Sequence, residues 1–233
     1  MSSTRRVAMC PPENRLVRMM GREPINAMTH LGGFMLAIIG VALLVLDSLG
    51  STPKAIGMAI YGSSLALLFL ASGAYHYLDI GDDGNRWLKR FDHCAIFLLI
   101  AGSYVPPLLH FLAGAWRITM LALVGGLAIA GIVLKLTWIN CPRKLSTAIY
   151  LGLGWIIVIP GYRILPRLDA QQLGWLVAGG LTYSLGAVVY VLRRPNPLPQ
   201  VFGYHEIWHL FVLAGAAAHY VFVSLLIDQP LPG

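Results

Sequence analysis

Seven runs of 18 to 21 residues dominate the pattern of apolar and polar positions: 27–46, 55–75, 95–112, 117–134, 145–162, 172–192 and 210–227. Apart from Arg117 at the edge of the fourth, they contain no Asp, Glu, Lys or Arg. Runs of this length cross the ~30 Å hydrocarbon core of a bilayer as α-helices. The pattern predicts an all-α, polytopic membrane protein, a seven-transmembrane-helix bundle whose last span begins near 205. A tail over 1–22 precedes a single membrane domain over 23–233. The glycine pairs Gly32-Gly33, Gly125-Gly126 and Gly179-Gly180 predict close helix–helix approach, as small residues allow in lipid. Pro106, Pro107 and Pro160 fall inside spans and predict kinks. Trp116, Trp138, Trp175 and Trp208 lie near span ends, where tryptophan favours the interface. Trp155 does not, and the pattern gives no reason for it.

Composition agrees. The 233 residues are 57% apolar and 12% charged, with a mean hydropathy of +0.69, against about 25% charged in an ordinary soluble domain. The formal net charge of +7 does not mark a nucleic-acid binder, because the basic residues are scattered. Cys10, Cys94 and Cys141 are isolated thiols with no metal or disulfide spacing. Arg5-Arg6 precedes no apolar run, so neither a secretory nor a twin-arginine signal is expected.

The charges also orient the chain. Thirteen of the 17 Lys and Arg fall in alternate segments: Arg5, Arg6, Arg15, Arg18 and Arg22; Arg86, Lys89 and Arg90; Lys135, Arg143 and Lys144; Arg193 and Arg194. Lys54, Arg117, Arg163 and Arg167 occupy the others. The positive-inside rule predicts a cytoplasmic N-terminus and an external C-terminus, and the expected location is the cell (inner) membrane.

That orientation gathers His30, His76, His93, His205 and His209 near the cytoplasmic face, leaving His110 at the outer end and His219 mid-span. Polar groups at membrane depth are costly and mark sites. His205 and His209 stand at i and i+4, one helix face, a spacing suited to two ligands on one metal. An isolated pair of this kind is more often a pair of interfacial histidines. Ser72 and His76 repeat the spacing, and Asp92 adds a carboxylate at the same depth. Three imidazoles with an open fourth position make a catalytic type of zinc site, and a neighbouring carboxylate can orient water or take its proton. Ser72 fits a hydrogen bond to Asp92 or to a substrate carbonyl equally with ordinary helix–helix bonding. Glu23, Asn26 and His30 step i, i+3, i+7 along one stripe, fitting either an outer shell that orients the ligands or a helix start. His93 points roughly 100° away from Asp92, and His219 reads as a buried hydrogen-bonding histidine. Asp79, Asp82 and Asp83 read as a solvated turn.

The motifs Glu23-x-x-Asn26-x-x-x-His30, Ser72-Gly-Ala-Tyr-His76, Phe91-Asp92-His93 through Ala101-Gly102-Ser103-Tyr104, and Gly203-Tyr204-His205-Glu206-Ile207-Trp208-His209 resemble the hemolysin III family. It is the bacterial branch of the progestin and adipoQ receptor proteins, grouped with the alkaline ceramidases. The resemblance covers about residues 20 to 227. It implies a seven-helix bundle, a Zn2+ ion on His76, His205 and His209, and Asp92 as the acid that binds water.

Three functions compete. One is zinc-dependent hydrolysis of a lipid amide or ester, with Asp92 as base, Ser72 assisting and membrane lipids as partners. Another is a membrane sensor or homeostasis protein with structural zinc. A third takes His205-Glu206-x-x-His209 as an intramembrane protease motif with Glu206 as base. No amphipathic pore-forming segment supports lysis, and the seventh span has no lysine for a retinal Schiff base.

Overall fold

The computed structural model describes residues 22–198 and 201–232. Arg5, Arg6, Cys10, Arg15 and Arg18, and with them most of the expected tail, lie outside the described residues. The apolar runs become helices whose starts follow local chemistry. α1 (Pro24–Leu46) and α2 (Thr52–Tyr77) carry proline in the first turn, where its missing N–H is harmless. Gly81 (φ 83°) and Gly114 (φ 54°) supply the left-handed backbone that turns the chain into α3 (Gly81–Phe111) and α4 (Gly114–Thr137). The fifth span is broken: α5 (Arg143–Gly154), a tight turn Trp155–Val158 and the short α6 (Gly161–Ile164) meet at a bend of 41°. α7 (Ala170–Leu192) and α8 (Tyr204–Ser224) complete the chain.

The order gives six continuous apolar helices and a seventh crossing if the bent pair is one span: a helical polytopic membrane protein. Two expectations need correction. The third helix begins at Gly81 rather than near 95, because charged residues are barred from lipid but not from helices; at 1.5 Å per residue its 31 residues reach about 46 Å, beyond the hydrocarbon. Asp82 and Asp83 therefore sit in its first turn, not in a loop, where carboxylates complement the helix dipole. The glycine pairs also divide. Gly33 packs against Leu213 and Phe69, and Gly179 against His219, but Gly32, Gly125 and Gly126 touch nothing within 4 Å. Neighbours on a helix point about 100° apart, so one pair rarely serves one interface.

α1 packs on α2, α2 on α3, α3 on α4, α7 on α8 and α8 back on α1, while α5 makes lighter contacts with α3, α4 and α7. α2 and α3 form the centre: 61% of each span is buried, against 17% for α7. At the end opposite the histidine cluster, cations close helix C-termini. Lys54 donates to Ile227 O at 2.7 Å, Arg117 to Leu112 O at 2.7 Å, and Arg167 to Phe111 O. Trp155 now has a role, its indole N–H donating to Ser184 Oγ at 3.1 Å across the α5–α7 gap.

Candidate metal centre

Three helix ends and the interior of a fourth helix meet at one region. α2 brings Ser72 and His76 in its last turns, α8 brings His205 and His209 in its first two, α3 brings Asp92, and the start of α1 brings Glu23, Asn26 and His30. One ligand atom from each of His76, His205 and His209 lies within 4.8 Å of the others. Their ring centroids form a near-equilateral triangle of 4.7, 5.0 and 5.2 Å. Zinc–imidazole bonds of about 2.0–2.1 Å need ligand nitrogens about 3.4 Å apart, a closure that small side-chain rotations supply. His209 Nδ1 is buried without a hydrogen-bond partner among the described residues, and orphaned buried polar atoms are rare in folded proteins. A soft-to-borderline cation fits three imidazoles.

The surrounding residues fix these rings. Glu23 donates its backbone N–H to His76 O at 3.0 Å, and its Oε2 lies 2.9 Å from His76 Nδ1 and 3.7 Å from His205 Nδ1. A carboxylate at Nδ1 of a histidine favours the tautomer with its lone pair on Nε2. Burial pushes the Glu23 carboxyl up, but His76, Asn26 and His205 around it hold it down at about 2, so Glu23 is a charged partner. Asn26, fully buried, donates to Glu23 Oε2 at 2.8 Å and to Glu206 Oε1 at 3.0 Å. Glu206 Oε2 accepts from Gly203 N at 2.7 Å, capping the start of α8. Both Glu206 oxygens are thus engaged. His30 lies against His209 with ring centroids 3.9 Å apart and the planes tilted by 39°, and it stays outside the three-histidine group.

Asp92 and Ser72 are buried and line a cavity of about 620 Å³ together with His30 and His205. The groups acting on the Asp92 carboxylate include His76, Ser72, Glu23 and Lys89. The cavity runs from this end, along α3, α5, α7 and α8, to Ile164 and Phe222 at the far end. His93 lines it without joining the three histidines. His219 also borders it and donates from Nδ1 to Gly215 O at 3.1 Å. Lys89, Lys135 and Arg143 line the same cavity; along the sequence they register only as topology-setting charges, and no spacing among them signals a shared pocket.

Fold and site define a helical membrane protein with a three-histidine cluster, His76 and His209 buried and His205 partly so, at one end of its bundle. The chain belongs to the haemolysin-III related family, whose model matches residues 19–220. It is 35% identical over 205 residues to Hemolysin-3 of Bacillus cereus, covering 87% of this chain and 90% of that one. It is 33% identical over 225 residues to the Adiponectin receptor protein of Drosophila melanogaster, across 87% of this chain and 50% of the relative. With the Monocyte to macrophage differentiation factor of Homo sapiens it shares 29% identity over 202 residues, 84% of this chain and 80% of the relative.

Proposed function

We propose that this chain is a zinc-dependent hydrolase of a lipid amide or ester, working at the cytoplasmic face of the cell membrane. The observation that carries the reading is the buried carboxylate of Asp92 on the wall of a largely apolar cavity that His205, one of the three clustered histidines, also lines. His76, His205 and His209 would hold the ion, which when bound supplies Lewis acidity toward a carbonyl oxygen and water.

The chain's own groups do the rest. The apolar wall of the cavity, with Leu68, Leu99, Val212 and Phe222, accepts an acyl chain and excludes water from the linkage. Asp92 takes the proton of the attacking water and returns it to the departing amine or alkoxide. Ser72 orients the Asp92 carboxylate, and Glu23 holds the His76 ring. Glu206 fits the protease role poorly, since both its oxygens are spent on Asn26 and Gly203.

A purely structural metal is favoured by one observation: the cluster and the Glu23–His76 backbone bond join α1, α2 and α8, which stabilises a bundle with or without turnover. The deciding experiment is Asp92→Asn in the purified full-length chain, assayed against a panel of N-acyl and O-acyl lipids with metal content measured alongside. Hydrolysis should fall by about 10²–10⁴ with zinc retained. Full turnover by the zinc-loaded variant would remove Asp92 as the base and leave the structural reading.

A further inference from the structure

Lys135 is 2% exposed and lines the cavity at the histidine end, yet among the described residues it has no carboxylate partner. Its ammonium donates to Ser146 Oγ at 2.5 Å and faces the Tyr150 ring at 5.8 Å. An uncompensated charge in a low-dielectric interior is expensive and, inside a membrane protein, marks a ligand site. Arg143 borders the same space, braced against the Tyr190 and Tyr204 rings at 5.3 and 5.9 Å and donating to Val191 O at 3.3 Å, with its Nε buried and unpartnered. His93 Nδ1 is likewise buried without a partner among the described residues. Lys89, one turn before Asp92 and His93, completes the cluster. The first turn of α5 opens here with no side-chain cap, so its free N–H groups add to the positive field.

We infer that this cluster binds the phosphate headgroup of an amphiphile whose chain lies in the cavity. The charge count selects phosphate. Among the described lining residues, Lys89, Lys135 and Arg143 face one carboxylate, Asp92, an excess of two positive charges. A phosphate monoester carries about −1.5 to −2 near pH 7 and offers several acceptor oxygens, whereas a carboxylate leaves a cation unmatched. This narrows the substrate class of the hydrolase reading, on whose orientation of lipid in the cavity it rests, but it is read out by binding and stands apart from turnover.

The test uses the full chain in maltoside micelles and compares the binding of a lysophosphatidate, a monoacylglycerol and a fatty acid of one chain length, with inorganic phosphate as competitor. Lysophosphatidate should bind about tenfold or more tightly than either other amphiphile, as expected for charge-assisted contacts. Lys135→Met should erase most of that preference with zinc content unchanged. If that variant does not fold, Lys89→Gln at the partly exposed rim should reduce the preference in the same direction. Asp92→Asn should bind lysophosphatidate at least as well as the parent while losing any hydrolysis, which separates failure of this site from failure of the hydrolase. Equal binding of the three amphiphiles, or an undiminished preference in both cation variants, overturns the proposal. Competition by inorganic phosphate at the affinity of lysophosphatidate overturns the lipid source and assigns a soluble phosphate.

Discussion

Glu23 does the work of three residues. Its N–H ties the start of α1 to the end of α2, its carboxylate sits between His76 and His205, and it accepts from Asn26. Glu23→Gln keeps the shape and a hydrogen-bonding end but removes the charge that sets the His76 tautomer. Zinc affinity, measured by competition with a chelator, should fall about 10–100-fold, the usual consequence of losing a ligand's hydrogen-bonding partner, while the bundle stays folded. His205→Ala/His209→Ala should lose the ion altogether, and His110→Ala at the far end should not weaken it. Parental affinity in Glu23→Gln would reduce Glu23 to a helix-start residue. The stripe Glu23, Asn26, His30 was legible as one helix face. Its targets were not, because Asn26 meets Glu206 across 180 positions of sequence, and no local periodicity encodes that pairing.

Elements show the same boundary between what is local and what is not. Pro160 announces an interruption in the fifth span, but the helix already ends at Gly154. What holds the opened backbone is Tyr104 of α3, 50 positions away: its hydroxyl is placed to donate to Leu153 O at 2.8 Å and Gly154 O at 2.6 Å, and it accepts from Ile157 N at 3.0 Å. Irregular backbone at membrane depth needs internal partners, since lipid offers none. Tyr104→Phe strands these groups and should destabilise the chain by about 1–3 kcal/mol, seen as a lower midpoint of thermal unfolding with zinc content intact. An unchanged midpoint would mean that water in the cavity already satisfies the break. The wall that Tyr104 braces is also the cavity's, so lipid binding should weaken alongside.

For the molecule as a whole, counting apolar runs recovered the helical bundle because lipid imposes one rule on every span: about 20 residues without charge. The rule fails where the bilayer ends, which is why α3 extends fourteen residues before the expected start. Charge counting is subject to a deeper ambiguity. Lys89, Lys135 and Arg143 belong to the majority from which the orientation is predicted, and they also line the cavity; a count along the sequence gives them the first role alone, and only their convergence in space suggests the second. The four minority cations are not idle either: Lys54, Arg117 and Arg167 close helix ends, and Arg163 stacks over Trp116 at 4.9 Å. Because these structural uses would hold in either orientation, the charge split has to be tested by itself. A reporter active only outside the cytosol should work when fused after Gly233 and fail when fused by truncation after Asp83, and a cytosol-restricted reporter should show the reverse. Placing the histidine end at the cytoplasmic face follows from that pattern, since Glu23, His76, Asp92 and His205 share the end of the bundle that carries Asp83. The opposite pattern would put the cluster on the outer face, turn the 13 cations into an exception to the positive-inside rule, and move any substrate lipid to the outer leaflet.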